Sequence, residues 1–127
     1  MSLTIGKQSK RVLVVDDVAD NVFLVQFILE SQGYKVDTAQ SGKAALAQIE
    51  TANPKPDLIV LDLMMPEMNG FEVIDRLRNQ KNLSHIPTIL MTANTSVSCQ
   101  QAKGAGADEV IYKPLQLEQF MAKIALF

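Results

Sequence analysis

Apolar residues in this 127-residue chain gather in five short runs: Val12–Val15, Tyr34–Thr38, Leu58–Leu63, Thr88–Met91 and Glu109–Tyr112. Four of them are near-continuous in Val, Ile and Leu instead of alternating with polar residues. That pattern belongs to strands buried on both faces of a parallel sheet. The run at Tyr34–Thr38 is more mixed, which predicts an edge strand. Between the runs, apolar positions recur at helical spacing. Val22, Val25, Ile28 and Leu29 mark a helix over Val18–Ser31, and Ala45, Leu46 and Ile49 one over Lys43–Glu50. Phe71, Val73, Ile74 and Leu77 mark Phe71–Arg78, while Leu117, Phe120, Met121 and Ile124 mark Leu117–Phe127. Val97–Lys103 predicts a shorter, weaker helix.

Punctuation agrees with these boundaries. Gly33 stands where the first helix wants a left-handed cap. Asn53-Pro54 stops the second helix, since the residue before proline disfavours helical backbone. Gly104 and Gly106 bracket the turn after the fourth helix, and Pro87 opens the fourth strand, where a missing N–H does little harm. Residues 1–9 read as a loose tail and residues 10–127 as one domain without repeats or linkers. A strand–helix unit repeated five times with right-handed crossovers predicts an α/β, doubly wound, five-stranded parallel sheet. Its expected order is 2-1-3-4-5, with helices on both faces. Ligands in such sheets bind beyond the carboxyl ends of the strands, at the switch point between strands 1 and 3.

Composition narrows the chemistry. At this length about two-thirds of the unfolded surface can be buried, enough for a core without staples. A single cysteine, Cys99, excludes an intrachain disulfide, and one histidine, His85, excludes a multi-histidine metal site. Twelve basic against fourteen acidic residues give a net charge of −2, with no footprint for nucleic acid or an anionic membrane. No apolar run is long enough to span a bilayer and the first ten residues lack a secretory core, so a cytoplasmic protein is expected.

Acidic residues fall where the switch-point rule directs. Asp16 and Asp17 close strand 1, and Asp62 closes strand 3. Neighbouring strands lie about 4.8 Å apart, so three carboxylates converge. Two charges about 4.5 Å apart repel by roughly 3–4 kcal/mol at an effective dielectric near 20. Either one group keeps its proton or a hard cation fills the gap, and an all-oxygen set favours Mg²⁺ over zinc. Thr92 and Lys113 end strands 4 and 5, a hydroxyl and a cation suited to a phosphoryl group, with Asp62 as the nucleophile. A cis Lys113-Pro114 bond that aims Lys113 inward is expected. Taken alone, Asp16-Asp17 also fits a helix N-cap, Thr92 a turn and Lys113 a solvated cation. Met64-Met65 read as apolar packing, His85 as surface, Phe120 and Met121 as core or interface. Cys99 shows no cationic neighbour in sequence that would activate its thiol.

The segments VLVVDD at 12–17, LIVLDLMMPEMNG at 58–70, TILMTA at 88–93 and GADEVIYKP at 106–114 come in one order, each at a strand end. Together they resemble the CheY-like receiver domain of two-component response regulators. The resemblance implies that Asp62 accepts a phosphoryl group from a phosphohistidine on a sensor histidine kinase or histidine phosphotransfer protein. It implies Mg²⁺ (or Mn²⁺) on Asp17, Asp62 and the Met64 backbone carbonyl, with Asp16 acting mainly through water. Thr92, Lys113 and the Ala93 backbone N–H match the groups that contact the phosphoryl oxygens, and Met65, Pro66 and Gly70 match the loop after strand 3. Met64 and Asn94 occupy positions that govern the approach of water, so a bulky Met64 is expected to shield the phosphoryl bond. Kinase specificity is expected around helix 1, and output on the helix 4–strand 5–helix 5 face, through a phosphorylation-dependent homodimer or a downstream effector.

One departure stands out. The aromatic that the family often carries three residues before the lysine, and that swings inward when the threonine moves, is Val110 here. Tyr112, two residues on, is expected on the other strand face or displaced by one position. Two rivals remain. A phosphorylation-independent pseudo-receiver conflicts with the intact acidic set. An aspartyl-nucleophile phosphatase of haloacid-dehalogenase type needs an acid two residues after the nucleophile, where Met64 stands.

Overall fold

A computed structural model describes residues 10–127; the expected tail at 1–9 lies outside them. Five strands alternate with five helices: β1 (Arg11–Val15), α1 (Ala19–Ser31), β2 (Lys35–Ala39), α2 (Gly42–Thr51), β3 (Leu58–Asp62), α3 (Gly70–Arg78), β4 (Thr88–Thr92), α4 (Cys99–Gly104), β5 (Glu109–Tyr112) and α5 (Leu117–Ile124). All strand pairs are parallel and the sheet order is β2-β1-β3-β4-β5, as the periodicity predicts.

The continuous apolar runs follow from two cores that share one sheet. Leu13, Val15, Ile59, Leu61, Leu90 and Val110 pack with α2, α3 and α4 through Ala45, Ile49, Val73, Ile74, Leu77 and Ala102. Val12, Val14, Val60, Ile89, Met91 and Ile111 pack with α1 and α5 through Val22, Val25, Leu29, Phe120 and Ile124. Successive strand residues alternate between these layers, so both alternating sets must be apolar. β2, at one edge, is buried only at Ala39, which accounts for its mixed sequence.

Local chemistry sets the element ends. Ser41 caps α2 by accepting from the Ala44 N–H, and Asn69 and Glu72 form a reciprocal capping box at α3. Gly33 takes φ +92° after α1, the left-handed geometry expected of it. The fourth helix starts at Cys99 and not at Val97, because Ser98 caps it by accepting from the Gln101 N–H. The fifth ends at Ile124, three residues short of the expected Phe127. Leu117 is not part of the α5 core face; it is exposed at the first turn. Asn53-Pro54 and Lys113-Pro114 are both cis.

Gly70 fixes the join between β3 and α3. Its N–H donates to the Leu63 carbonyl at 2.8 Å. A Cβ there would lie 2.8 Å from the Asp62 carbonyl oxygen and 3.0 Å from Leu63 Cα. Only a residue without a side chain lets the helix start this close to the strand end. Arg78, at the other end of α3, donates to the carbonyls of Ile86 and Gly106 and pairs with Asp108 at 3.1 Å. It thereby anchors the turns that precede β4 and β5.

Candidate functional site

The carboxyl ends of β1, β3, β4 and β5 meet at one crevice. Asp16 directly follows β1, and its N–H still donates to the Ala39 carbonyl of β2 at 3.2 Å. Asp62 is the last residue of β3. Carboxylate oxygens of Asp16, Asp17 and Asp62 all lie within 4.8 Å of one another. Asp16 and Asp62 are 1% and 4% exposed, so water screens their repulsion little. Neither Asp16 nor Asp17 is the helix cap that the pair alone would have suggested. Val18 holds that position without a side-chain bond, while its N–H donates to Asp16 Oδ1 at 3.0 Å.

Lys113 crosses from the end of β5 into this cluster. Its Nζ donates to Asp62 Oδ1 at 2.6 Å and to Asp16 Oδ2 at 3.3 Å. Burial pushes the Asp62 carboxyl above its usual range and the Asp16 and Asp17 charges add to that, against the opposing pull of Lys113. Burial works against the Lys113 ammonium, but its bond to Asp62 and the two acidic charges outweigh it and raise its pKa. One lysine thus faces three acids, and the pocket keeps an excess of negative charge. Oxygen donors alone, two of them buried, fit a hard divalent cation.

Thr92 is fully buried at the end of β4. Its Oγ1 accepts from the Asn94 N–H at 3.0 Å and its carbonyl accepts from the Lys113 N–H at 2.8 Å. It therefore also serves as the turn residue it resembles in isolation. β4 neighbours β3, with Met91 opposite Asp62, so Thr92 lies one residue past the Asp62 register. Ala93 follows it and is exposed. Met64 is 63% exposed whereas Met65 is buried, so the two methionines do not pack as a pair. Met64, two residues after Asp62, keeps an apolar side chain in solvent.

A model of the response regulator receiver domain family matches residues 12–125. The chain belongs to that family. Chemotaxis protein CheY4 of Vibrio cholerae superposes on this receiver with TM-score 0.85 at 32% identity, over 94% of this chain and 98% of that one. The alkaline phosphatase synthesis transcriptional regulatory protein PhoP of Bacillus subtilis is 41% identical over 91% of this chain. Response regulator PleD of Caulobacter vibrioides is 38% identical over the same share. The receiver spans about half of PhoP (47%) and a quarter of PleD (25%). The protein is thus a receiver of two-component signalling. Among its described residues no helix is long and apolar enough to cross a membrane.

Two details differ from the sequence-based expectation or escape it. Tyr112 shares its strand face with Val110, both packed in the α2–α4 layer, while Ile111 faces the other layer. Residues two apart on a strand point the same way, which corrects the expected placement on the opposite face. The Tyr112 hydroxyl donates to the Val97 carbonyl at 2.6 Å, a long-range bond with no signature in sequence. The second detail is α1, whose Phe23 and Phe27 are 69% and 63% exposed, with Leu24 beside them. Their i, i+4 spacing off the buried stripe is visible in sequence as FLVQF.

Proposed function

We propose that this receiver, taken as residues 10–127, accepts a phosphoryl group on Asp62 from a phosphohistidine. The observation that carries this reading is the buried Asp62 carboxylate held by Lys113 at 2.6 Å among two further acids. An Asp62 oxygen attacks phosphorus as the phosphorus–nitrogen bond to the donor breaks, and the departing imidazole keeps that electron pair. Lys113 stays beside the oxygen it already touches and offsets charge on the transferred group. Thr92 offers its hydroxyl, and Ala93 its backbone N–H, to the phosphoryl oxygens. Mg²⁺ or Mn²⁺, held by Asp17, Asp62 and the Met64 carbonyl with Asp16 acting through water, supplies the remaining positive charge when bound. The domain catalyses its own phosphorylation and dephosphorylation and turns over no other substrate.

The donor is a sensor histidine kinase or a histidine phosphotransfer protein. The exposed Phe23, Leu24 and Phe27 of α1, on the helix that starts beside the pocket, supply the apolar anchors for its docking. A population shift of the α4–β5–α5 face passes the signal to a second receiver or to an effector, in the cytoplasm and without nucleic-acid contact by this domain.

Intact-mass spectrometry after incubation with acetyl phosphate and Mg²⁺ tests the reading. A gain of one phosphoryl group is expected, lost in Asp62→Asn and on chelation of the metal. A wild-type protein that gains no mass would overturn it and leave a phosphorylation-independent interaction module.

A further inference from the structure

The two edge strands of the sheet treat their outer backbone groups differently. At the β5 edge the Val110 N–H donates to Glu109 Oε1 at 3.0 Å, and the Val110 carbonyl accepts from Lys123 Nζ at 2.7 Å. Lys123 and Glu109 also pair with each other at 3.4 Å. Charged side chains thus occupy both of the groups in mid-strand through which another strand would join.

β2, at the opposite edge, has no such cover. The Lys35 N–H donates to the Lys10 carbonyl and the Ala39 carbonyl accepts from the Asp16 N–H, so residues 35, 37 and 39 turn their backbone groups toward β1. Backbone direction alternates along a strand, and the groups of Val36 and Thr38 therefore point outward. Among the described residues, no loop, cap or side chain bonds to either. Lys35 is exposed and Val36, Asp37 and Thr38 are half-buried, so the edge is within reach of another chain.

Charge selects what fits there. A lysine on an edge strand ordinarily repels an incoming strand. An antiparallel β2 from a second copy, centred on Val36, removes that objection. Val36 then stands opposite Val36 and the two exchange both N–H···O bonds, while Lys35 of each copy faces Asp37 of the other. Arg11 engages only Oδ2 of Asp37, at 3.0 Å, which leaves Oδ1 for the incoming ammonium. Centring the pair on Asp37 instead would set carboxylate against carboxylate. The segment Lys35-Val36-Asp37 is thus complementary to its own reverse, the requirement for an interface on a two-fold axis.

We propose that β2 is a self-association edge: two copies pair antiparallel through Val36, with Lys35 of each facing Asp37 of the other, and their two sheets become one. The contact is narrow and so belongs to the weak, reversible class. It uses neither the acidic pocket nor the α4–β5–α5 face, and it stands independently of the phosphoacceptor reading.

Sedimentation velocity on the full chain without phosphodonor tests the pairing, from about 10 μM to about 1 mM, the range of a weak complex. Wild type is expected to shift from monomer toward dimer. Lys35→Glu alone and Asp37→Lys alone are each expected to stay monomeric, because each sets like charges across the axis. An equimolar mixture of the two variants is expected to regain the dimer, since both cross-strand pairs are then opposite in sign. Circular dichroism of each variant confirms that it is folded. Exchange of the Val36 amide, followed by NMR, is expected to slow by about ten-fold where about nine-tenths of the chains are paired, because only the free chain exposes that group. A wild type that stays monomeric to the highest concentration overturns the proposal. So does a dimer that survives in either folded single variant, a mixture that fails to associate, or association that leaves Val36 exchange unchanged.

Discussion

Asp62→Asn is expected to make the metal-free protein more stable at neutral pH, although it removes the residue on which the function rests. Carboxylate oxygens of Asp16 and Asp17 lie within 4.8 Å of one on Asp62. At an effective dielectric near 20, each of these repulsions is at least about 3.5 kcal/mol, so together they come to about 7 kcal/mol. Attraction to Lys113 Nζ at 2.6 Å offsets about 6 kcal/mol on the same scale. The Coulomb contributions thus nearly cancel, and what remains is the desolvation of an ionised carboxyl that is 4% exposed. A neutral amide of the same shape loses far less hydration. A net gain of about 2 kcal/mol is expected, which raises the urea midpoint by about 1 M. The pH dependence has a definite sign. Asp62 has a folded pKa above its ordinary value of 3.8. Its contribution to stability is fully present below that value and is lost as pH rises through the raised one. Wild type therefore closes the gap to Asp62→Asn on acidification. Urea unfolding followed by circular dichroism from pH 7.5 down to pH 4.5, with chelator present, checks this. An asparagine variant no more stable than wild type at neutral pH, or a gap that does not shrink with acid, would refute the electrostatic account. Millimolar Mg²⁺ should also narrow the gap at neutral pH, by stabilising wild type selectively.

Gly70→Ala is expected to cost about 1–3 kcal/mol in urea unfolding, because its Cβ meets the Asp62 carbonyl and the Leu63 backbone; a variant as stable as wild type would show that the join can yield. Phe23→Ser combined with Phe27→Ser should change stability by no more than about 0.5 kcal/mol while slowing transfer from a phosphohistidine protein at least several-fold. Labelling by acetyl phosphate should be unaffected in that variant, and equal slowing with both donors would place the defect in the pocket instead of in docking. Met64→Asn should speed spontaneous loss of the phosphoryl group several-fold, measured as decay of the modified mass. An unchanged rate would remove Met64 as a shield.

The sheet and its order were legible because burial on both faces demands two alternating apolar sets, and β1, β3 and β4 display them without interruption. The acids and the lysine were legible for a related reason: each ends a run, so strand register alone brings them together. Side chains set by packing and not by period were less legible. Leu117 and Met64 are apolar letters in exposed places, and no local pattern distinguishes them from core. The apolar spacing starts the fourth helix two residues early because Val97 is buried and mimics a first helical turn, whereas Ser98 caps the helix behind it. Arg78 reads as an ordinary basic residue at a helix C-terminus. Its bonds to Ile86, Gly106 and Asp108 span up to 30 positions and exist only in the folded chain.

Asp16 uses its two oxygens for different purposes. Oδ1 accepts from the Val18 N–H where α1 begins, while Oδ2 faces Lys113. The helix that presents Phe23 and Phe27 therefore hangs from the same carboxyl group that helps to bind charge. Linkage then imposes a symmetry. If loading the crevice alters how tightly a partner grips α1, that partner alters the affinity of the crevice by the same factor. Recognition and chemistry in this domain share one thermodynamic account, so a partner can tune the pocket without ever reaching into it.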